Sequence, residues 1–292
     1  MYSIAKSSKS FFIRLHITNI IICRIDTSRK RDLFMKYQIS SLRYYVDLIW
    51  HLILRDFTLR YKGSILGVMW VMVSPLMQLA TLVFIFKRVL PLNIDSYPAF
   101  VLTGLLPWTW FSSCLAGAGT LFIANRDLVR RPNFPPVILI TISTFTNLLF
   151  YLIVMPLLLI TLLAYGHSLG WTILLFPLLL LVQSILIQGL SLMIATWNVF
   201  YRDIQQIVGV LVGLLFWITP VFYRASSADS KYQFLFNINP IAVLIKSYRD
   251  ILFYSQLPQS GEIIYAAAFS VVVWSLGYFV YSRQLHKVVD AL

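Results

Sequence analysis

The side chains that most often carry enzymatic chemistry are scattered along this sequence. Its four histidines have none of the spacings typical of metal ligands: His16, His51, His167 and His286. No two carboxylates form an acid–base pair, and Cys23 and Cys114 form neither a metal-binding motif nor a disulfide framework. The Gly-x-x-x-x-Gly-Lys-Ser/Thr loop that cradles nucleotide phosphates is absent too. The sequence therefore argues against catalysis within a membrane, against a bound metal and against ATP binding of the P-loop kind.

The elements that would position any functional residue are strongly apolar. Of the 292 residues, 59% are hydrophobic and 12% are charged, whereas soluble domains carry about 45–50% apolar and about 25% charged residues. A bilayer is needed to accommodate this excess. The formal net charge is +13. Because the basic residues lie between long apolar runs, their expected partner is the anionic surface of membrane lipids and not nucleic acid.

Six apolar stretches are long enough to cross a membrane, which requires about 20 helical residues. They cover 64–86, 99–122, 137–165, 172–196, 205–222 and 263–282, and the fifth is the shortest. None contains Asp, Glu, Lys, Arg or His, whereas ion-coupled transporters and proton pumps usually place ionisable groups at membrane depth. The sequence thus predicts an all-α membrane protein of six transmembrane helices. If it moves a cargo uphill, a separate ATPase subunit must supply the energy.

The basic residues predict how the chain is oriented. With the N-terminus in the cytoplasm, the inside segments hold 18 of the 24 Lys and Arg residues, as the positive-inside rule requires. Both termini are therefore expected to be cytoplasmic.

Residues 1–41 form a predicted N-terminal extension. Its apolar run 11–23 is too short to span and lacks a cleavage site of small residues. Since Met35 resembles a natural start, residues 1–34 are expected to be dispensable, and loss of activity in a chain beginning at Met35 would refute this.

Residues 42–62 are predicted to form an amphipathic helix ahead of the first span. Its apolar side chains have helical spacing: Leu42, Tyr45, Val46, Ile49, Ile53 and Phe57. The pattern favours a helix in the membrane interface over one packed only on protein. Arg60 and Lys62 can then reach a lipid phosphate.

A second candidate is the loop 123–136, between the second and third spans. Asn125 is a predicted N-cap, Asp127 falls in the first turn, and Arg130 and Arg131 fall in the last turn, as a helix dipole favours. Three prolines then end this short helix. The residues fit a helix that docks on a cytoplasmic partner and a solvated basic loop equally well.

The third candidate is the outside segment 223–262. Asn239-Pro240 is typical of a helix start, and the apolar residues that follow form one stripe, with Lys246, Arg249 and Asp250 expected elsewhere on the helix. This helix either gates the outer mouth of a pathway or covers the end of the bundle.

The fifth span contains the motif Gly209-x-x-x-Gly213, which permits close helix approach. Its glycine spacing is compatible with a dimer.

Several stretches resemble the permease subunits of ABC transporters that export O-antigen, capsular polysaccharide or teichoic acid. They are Leu59–Trp70 with Pro75-Leu76, Tyr97–Trp108, Asn125–Pro136 and Tyr201–Ile204. The resemblance extends from about Leu42 to the C-terminus. It implies a six-helix export permease domain over 63–292, preceded by the interface helix, and a homodimer in the bacterial inner membrane. Two ABC ATPase subunits would bind ATP and Mg²⁺, so the chain itself needs no cofactor. The implied cargo is an undecaprenyl-pyrophosphate-linked glycan.

The resemblance also implies roles for individual residues. The ATPase-coupling residues would be Asn125, Arg126, Asp127, Leu128, Arg130 and Arg131. The residues at the lipid pyrophosphate would be Arg55, Arg60 and Lys62. The aromatic residues of the pathway, whose faces can stack on sugars, would be Trp70, Phe84, Phe216, Trp217 and Tyr223. The outer gate would contain Asn239, Pro240, Tyr248 and Arg249. Two alternatives stay open: an ABC permease for a drug or another lipid, and a membrane enzyme that modifies a lipid-linked sugar.

Overall fold

The computed structural model describes residues 47–292, except residues 59, 61, 65, 91, 133 and 226–229. The predicted extension 1–41 and the first residues of the predicted interface helix lie outside this range. The chain divides into two compact units, Met1–Leu52 and Ile53–Leu292. In the first unit, residues 47–52 are helical. The second begins with helical residues 53–58, in which Phe57 packs on Phe150 with 5.3 Å between ring centres.

The second unit is built from helices, and no strand occurs among the residues described. In chain order the helices are α1 (Trp70–Phe84), α2 (Tyr97–Ala118), α3 (Leu121–Ala124), α4 (Arg126–Val129), α5 (Val137–Ala164), α6 (Phe176–Phe200), α7 (Asp203–Ile218), α8 (Gln233–Ile238), α9 (Pro240–Leu252) and α10 (Ser260–Ala291). This confirms the predicted all-α class.

Among the residues that the structure describes, five helical segments are long and apolar enough to cross a membrane: Gly67–Val89, Tyr97–Ala118, Val137–Ala164, Trp171–Phe200 and Ser260–Ala291. The predicted fifth span corresponds to α7, which has 16 residues and is shorter than these. The six-span count therefore remains a prediction. The predicted last span, 263–282, lies within α10, which begins three residues earlier and continues through charged residues up to Ala291.

A turn joins the first helical segment of the second unit to α1. Gly63 and Gly67 both have positive φ angles, +83° and +50°, which residues with a Cβ adopt at a steric cost. No atom lies within 4 Å of the position a Cβ would take at either glycine. These glycines therefore serve the turn and not close packing.

Helix α2 is the centre of the bundle. Side chains around its whole circumference are buried, among them Phe100, Leu106, Trp110 and Cys114, because α1, α5, α6, α7 and α9 all contact it. A helix that is apolar all round suits such a position.

Helices α6 and α10 pack more extensively than any other pair among the described elements. Their closest point is Gly189 against Gly277. A Cβ at Gly189 would lie 2.6 Å from the Cα of Trp274, and a Cβ at Gly277 would meet the backbone of Gly189. The two backbones approach so closely because neither position carries a side chain.

Candidate functional site

Arg60 lines a cavity of about 250 Å³ between α1, α2 and α5. Its Nη1 donates a hydrogen bond of 3.3 Å to Oδ1 of Asn147, and its guanidinium carbon lies 4.8 Å from the centre of the Phe150 ring. Helices α1 and α2 line it with polar side chains, including Ser74, Gln78 and Ser113, and with apolar and aromatic ones, including Trp70 and Trp110. The cavity thus combines one cation with neutral hydrogen-bonding groups and aromatic rings.

The other two cations predicted to meet a lipid phosphate are placed differently. Arg55 and Lys62 are exposed, and neither lines the Arg60 cavity. Arg60 is therefore the one of the three that lines this cavity. Sequence reasoning missed Asn147, whose hydrogen bond to Arg60 joins residues 87 positions apart.

A second, larger cavity of about 1040 Å³ lies between α1, α2 and α7. Gln78, Thr109 and Ser112 line both cavities, so the two share a wall. Aromatic side chains line the larger cavity at Phe86, Trp108, Phe216 and Trp217, and no ionisable side chain is among its lining residues. Its chemistry is therefore neutral, with hydroxyl and amide groups beside aromatic rings.

The structure brings three of the five predicted pathway residues together. Phe216 and Trp217 at the end of α7 contact Phe222, at 5.6 and 5.4 Å between ring centres, and Tyr223 contacts the same ring at 5.1 Å. Tyr223 also donates a hydrogen bond of 2.8 Å to the carbonyl of Ile218. The other two lie apart on α1.

Trp70 and Phe84 stand at opposite ends of α1, about 21 Å apart along its axis at the usual helical rise. Both are exposed, by 48% and 63%. Trp70 lines the Arg60 cavity, whereas Phe84 lines neither cavity. The pathway residues therefore do not form one site within a single chain.

The predicted start of the gate helix is confirmed. Asn239 Oδ1 accepts a hydrogen bond of 3.2 Å from the backbone N–H of Ile241, and Pro240 occupies the first turn of α9. Asn239 Nδ2 also donates to the Thr219 hydroxyl at 3.1 Å. Tyr248 is fully buried, with its ring against Phe176. Helix α9 is thus tied to the turn that follows α7.

Sequence reasoning missed the burial of Arg249. The residue was predicted only to lie off the apolar stripe, and its exposed fraction is 5%. Its Nη1 donates to the Pro220 carbonyl at 2.5 Å, and its Nη2 donates to the Val221 carbonyl. The side chain finds room because Gly104 faces it: a Cβ there would lie 2.6 Å from Nη2. Arg249 therefore joins α9, α2 and the turn after α7.

The remaining charges of the gate helix lie beside the first turn of α10. Lys246 forms an ion pair with Glu262. Burial raises the pKa of Asp250 to about 6, and Glu262 adds to the rise, while Lys246 and Arg249 oppose it. These groups give the junction between α9 and α10 two carboxylates and two cations.

Within the predicted docking helix, residues 126–129 form α4, which follows Asn125 and the short helix α3. Asn125 occupies the predicted N-cap position, but its side chain makes no cap bond to α4 and donates to the Leu121 carbonyl at 2.9 Å. Asp127 does fall in the first turn of α4. Arg130 stands at its C-terminal boundary, so Arg131 lies beyond it. Arg126, Asp127, Arg130 and Arg131 are exposed and Leu128 is half-buried.

Sequence reasoning also missed a polar network at the same end of the bundle. Asn198 Nδ2 donates to the Gly119 carbonyl at 2.8 Å, and its Oδ1 accepts from the backbone N–H of Gln205 at 2.9 Å. Gln205 in turn donates to the Ala116 carbonyl. The network joins the ends of α2 and α6 to the start of α7, next to the loop with the predicted docking helix.

Within the described residues, no group of three or more His, Cys, Asp or Glu could hold a metal.

Residues 47–253 match the ABC-2 type transporter family. The chain belongs to this family. It is 34% identical to the O-antigen export system permease protein RfbA of Myxococcus xanthus, over 84% of this chain and 96% of that protein. It is 33% identical to the protein of the same name from Klebsiella pneumoniae, over 74% and 83%. It is 24% identical to the polysialic acid transport protein KpsM of Escherichia coli, over 80% and 92%.

Membership of the ABC-2 family confirms the resemblance found in the sequence. This ABC-2 chain is a multi-pass inner-membrane permease and not an enzyme. Its family implies a separate ABC ATPase subunit as its partner.

Proposed function

We propose that this permease exports a polysaccharide linked to undecaprenyl pyrophosphate, from the cytoplasmic to the outer side of the inner membrane. ATP is hydrolysed by a separate subunit. The observation that carries this proposal is the neutral cavity between α1, α2 and α7, which offers hydroxyl and amide groups beside aromatic rings and has no ionisable lining residue. A long neutral or weakly charged glycan can slide along such a surface, whereas fixed charges would hold it at discrete sites.

The relatives support the same cargo class. Three similar proteins are named O-antigen export permeases and two are named polysialic acid transport proteins. The matches cover between 83% and 96% of the length of these proteins, so similarity extends over almost their whole sequence.

We assign the lipid pyrophosphate to the basic residues ahead of the first span. Arg60 is the central contact because it lines a cavity with Asn147. Arg55 and Lys62 are exposed cations of the same segment and add electrostatic attraction at the membrane surface. A guanidinium is suited to this role because it donates several hydrogen bonds to phosphate oxygens at once.

The ATPase contact is assigned to the loop with α3 and α4. Asn125, Arg126, Asp127, Leu128, Arg130 and Arg131 form this surface. Its charged side chains are exposed, and the Asn198–Gln205 network lies between this loop and the start of α7. A push by the ATPase on the loop is thus transmitted to α7, which lines the larger cavity.

The complete exporter is proposed to contain two copies of this chain and two ATPase subunits. At Gly209 and Gly213, no described atom outside the adjoining turns of α7 lies within 4 Å of the position that a Cβ would take. Both glycines line the larger cavity, so we place the second copy against this open side of the cavity. Trp70 and Phe84 are exposed in one chain and would complete the pathway where two copies meet. Asn239, Pro240, Tyr248 and Arg249 then hold the gate helix at the outer mouth.

Reconstitution tests this function directly. The chain is purified with its partner ATPase, placed in proteoliposomes, and supplied with undecaprenyl-pyrophosphate glycan extracted from cells that lack this chain. We expect ATP-dependent appearance of intact glycan on the far side of the membrane, measured by a membrane-impermeant glycosidase. A glycan that is chemically altered, or stimulation of ATP hydrolysis only by other lipids or drugs, would overturn the proposal.

A further inference from the structure

Two rows of neutral polar side chains face each other between α1 and α2. On α1 the row is Ser74, Gln78 and Thr81, at intervals of four and three residues. On α2 it is Thr109, Ser112 and Ser113, at intervals of three and one. Such intervals place each row on one face of its helix. All six side chains line the Arg60 cavity or the larger cavity beside it, and the α1 row extends about 10 Å along the helix axis.

These groups have hydrogen-bonding capacity that the fold does not use. Thr109 and Ser112 donate to carbonyls of their own helix, at 2.8 and 3.2 Å, so their oxygen lone pairs remain available. Ser74, Gln78 and Ser113 are exposed. None of these three side chains has a hydrogen-bond partner among the residues that the structure describes. In a span surrounded by lipid, such groups are costly unless another polar surface meets them.

The character of the two rows defines what they can bind. Hydroxyls and a carboxamide both donate and accept hydrogen bonds, and no ionisable side chain interrupts them. Arg60 is the single cation lining either cavity. Aromatic rings line both cavities: Trp70, Trp110, Phe150 and Tyr151 in the Arg60 cavity, and Phe86, Trp108, Phe216 and Trp217 in the larger one. A ligand that matches this lining has an anionic group followed by several hydroxyls on rings whose faces can stack on aromatic side chains.

We propose that the polar rows of α1 and α2 form a sugar-binding groove for the first sugars that follow the pyrophosphate of the cargo. This assignment rests on the proposed function and adds the residues that recognise the sugars. Ser74, Gln78 and Ser113 contact hydroxyls next to the phosphate, and Thr109 and Ser112 continue the contacts into the larger cavity. The groove makes export depend on the sugar next to the lipid, separately from the phosphate.

Binding of two matched lipids tests the groove. The complex of this chain with its ATPase, in nanodiscs and without nucleotide, is titrated with radiolabelled undecaprenyl pyrophosphate. It is then titrated with the same lipid carrying a disaccharide. We expect the disaccharide to tighten binding at least about tenfold, the effect of one or two good hydrogen bonds. In the double variant Gln78→Leu and Ser113→Ala this gain, which is the ratio of the two affinities, falls to less than about twofold.

Two control variants separate sugar recognition from other effects. Ser184→Ala removes a hydroxyl on α6 that donates to its own helix at 2.7 Å and lines neither cavity, so it should keep the full gain. Arg60→Gln should weaken both lipids by the same factor. Assembly of each variant is checked by its mass in solution, because polar rows can also pack against a second copy of the chain.

The outcomes are distinguishable. If the wild-type complex binds neither lipid, the proposed function fails and the groove with it. If it prefers the disaccharide lipid and the double variant keeps that preference, the groove alone is wrong. If the double variant loses its second copy while the preference of the remaining complex is unchanged, the rows belong to a subunit contact and the proposal is overturned.

Discussion

The guanidinium carbon of Arg249 lies 3.9 Å from the centre of the Phe100 ring. The same group donates hydrogen bonds to the carbonyls of Pro220 and Val221, and the described residues contain no carboxylate within ion-pair distance of it. A buried cation is therefore held by an aromatic face and two backbone dipoles. Such an arrangement stabilises a single position of the gate helix, because a shift of α9 would remove all three contacts together.

Replacing Arg249 by Lys should loosen this contact although the charge is kept. One ammonium group cannot reach two carbonyls with the geometry of a guanidinium, so one buried carbonyl loses its donor, at a cost of about 1–3 kcal/mol in the free energy of unfolding. Thermal unfolding in detergent measures the change. Lys246→Ala on the same helix removes a partly exposed ion pair and should cost at most about 1 kcal/mol. Equal effects of the two variants would contradict the role given to Arg249.

Adding one methyl group at Gly104 on α2 should also disturb the Arg249 contact, because it would crowd the guanidinium. A Cβ at this position would lie 2.6 Å from Arg249 Nη2 and 2.9 Å from the Val221 carbonyl oxygen. Gly104→Ala should therefore destabilise the chain by about 1–3 kcal/mol. Gly117 is on the same helix and has nothing within 4 Å of its Cβ position, so Gly117→Ala should be neutral or stabilising by up to about 1 kcal/mol. The prediction fails if the two variants unfold at the same temperature.

Reversing the charge of Asp127 should uncouple ATP hydrolysis without unfolding the chain. Its side chain is 93% exposed, and it lies 3.9 Å from the Arg126 side chain, which is 67% exposed. Such a pair contributes little to stability. Asp127→Lys should leave the unfolding temperature unchanged and reduce glycan-stimulated ATPase activity at least about tenfold, as expected when a charge contact at an interface becomes repulsive.

The matched control for Asp127→Lys is Lys231→Glu, a charge reversal of equal size at an exposed residue on the predicted outer side. It should leave the stimulated ATPase rate unchanged. A similar loss in both variants would mean that the loop with α3 and α4 is not the ATPase contact.

The pH dependence of stability should report on Asp250. Its pKa is raised from 3.8 to about 6 in the folded chain. As the pH rises from 4 to 6 the unfolded chain therefore loses this proton first, so stability falls across this range and stays low above it. Because Asp250 is only half-buried, solvent screening limits the penalty to about 1 kcal/mol.

The variant Asp250→Asn should remove this part of the pH dependence and be more stable than the wild type at pH 7. Unfolding temperatures between pH 4 and pH 7.5 measure the difference between the two chains. Asp127→Asn, at an exposed carboxylate, serves as the reference and should follow the wild type. A constant difference between Asp250→Asn and the wild type at every pH would exclude burial of this carboxyl as the cause.

Hydropathy predicted the long helices because a helix that spans a membrane is defined by its own local sequence. The Asn239-Pro240 start of α9 was equally accessible, since a cap depends on residues two positions apart. The burial of Arg249 could not be predicted, because its partners lie 28 and 29 positions away and its space is provided by Gly104 on another helix. A helical wheel shows where a residue lies around its own helix, but not which other helix covers it.

In the candidate sites, too, local sequence signals could be predicted and contacts between distant residues could not. The cations ahead of the first span were visible in the sequence, but only the fold shows that Arg60 meets Asn147. Asn125 was predicted to cap α4, and it occupies that position, but only the fold shows that its amide donates to the Leu121 carbonyl and makes no cap bond. The spacing of Ser74, Gln78 and Thr81 was a usable signal, since neutral polar residues on one face of an apolar span are uncommon.

The contact of Gly189 with Gly277 has a consequence for the transport cycle. Two backbones in direct contact resist both approach and sliding, because no flexible side chain lies between them to absorb a displacement. Helices α6 and α10 are therefore expected to move as one body during the transport cycle. The distance between spectroscopic labels on α6 and α10 should stay constant throughout the cycle. This pair therefore provides a fixed reference for measuring the movement of the other helices.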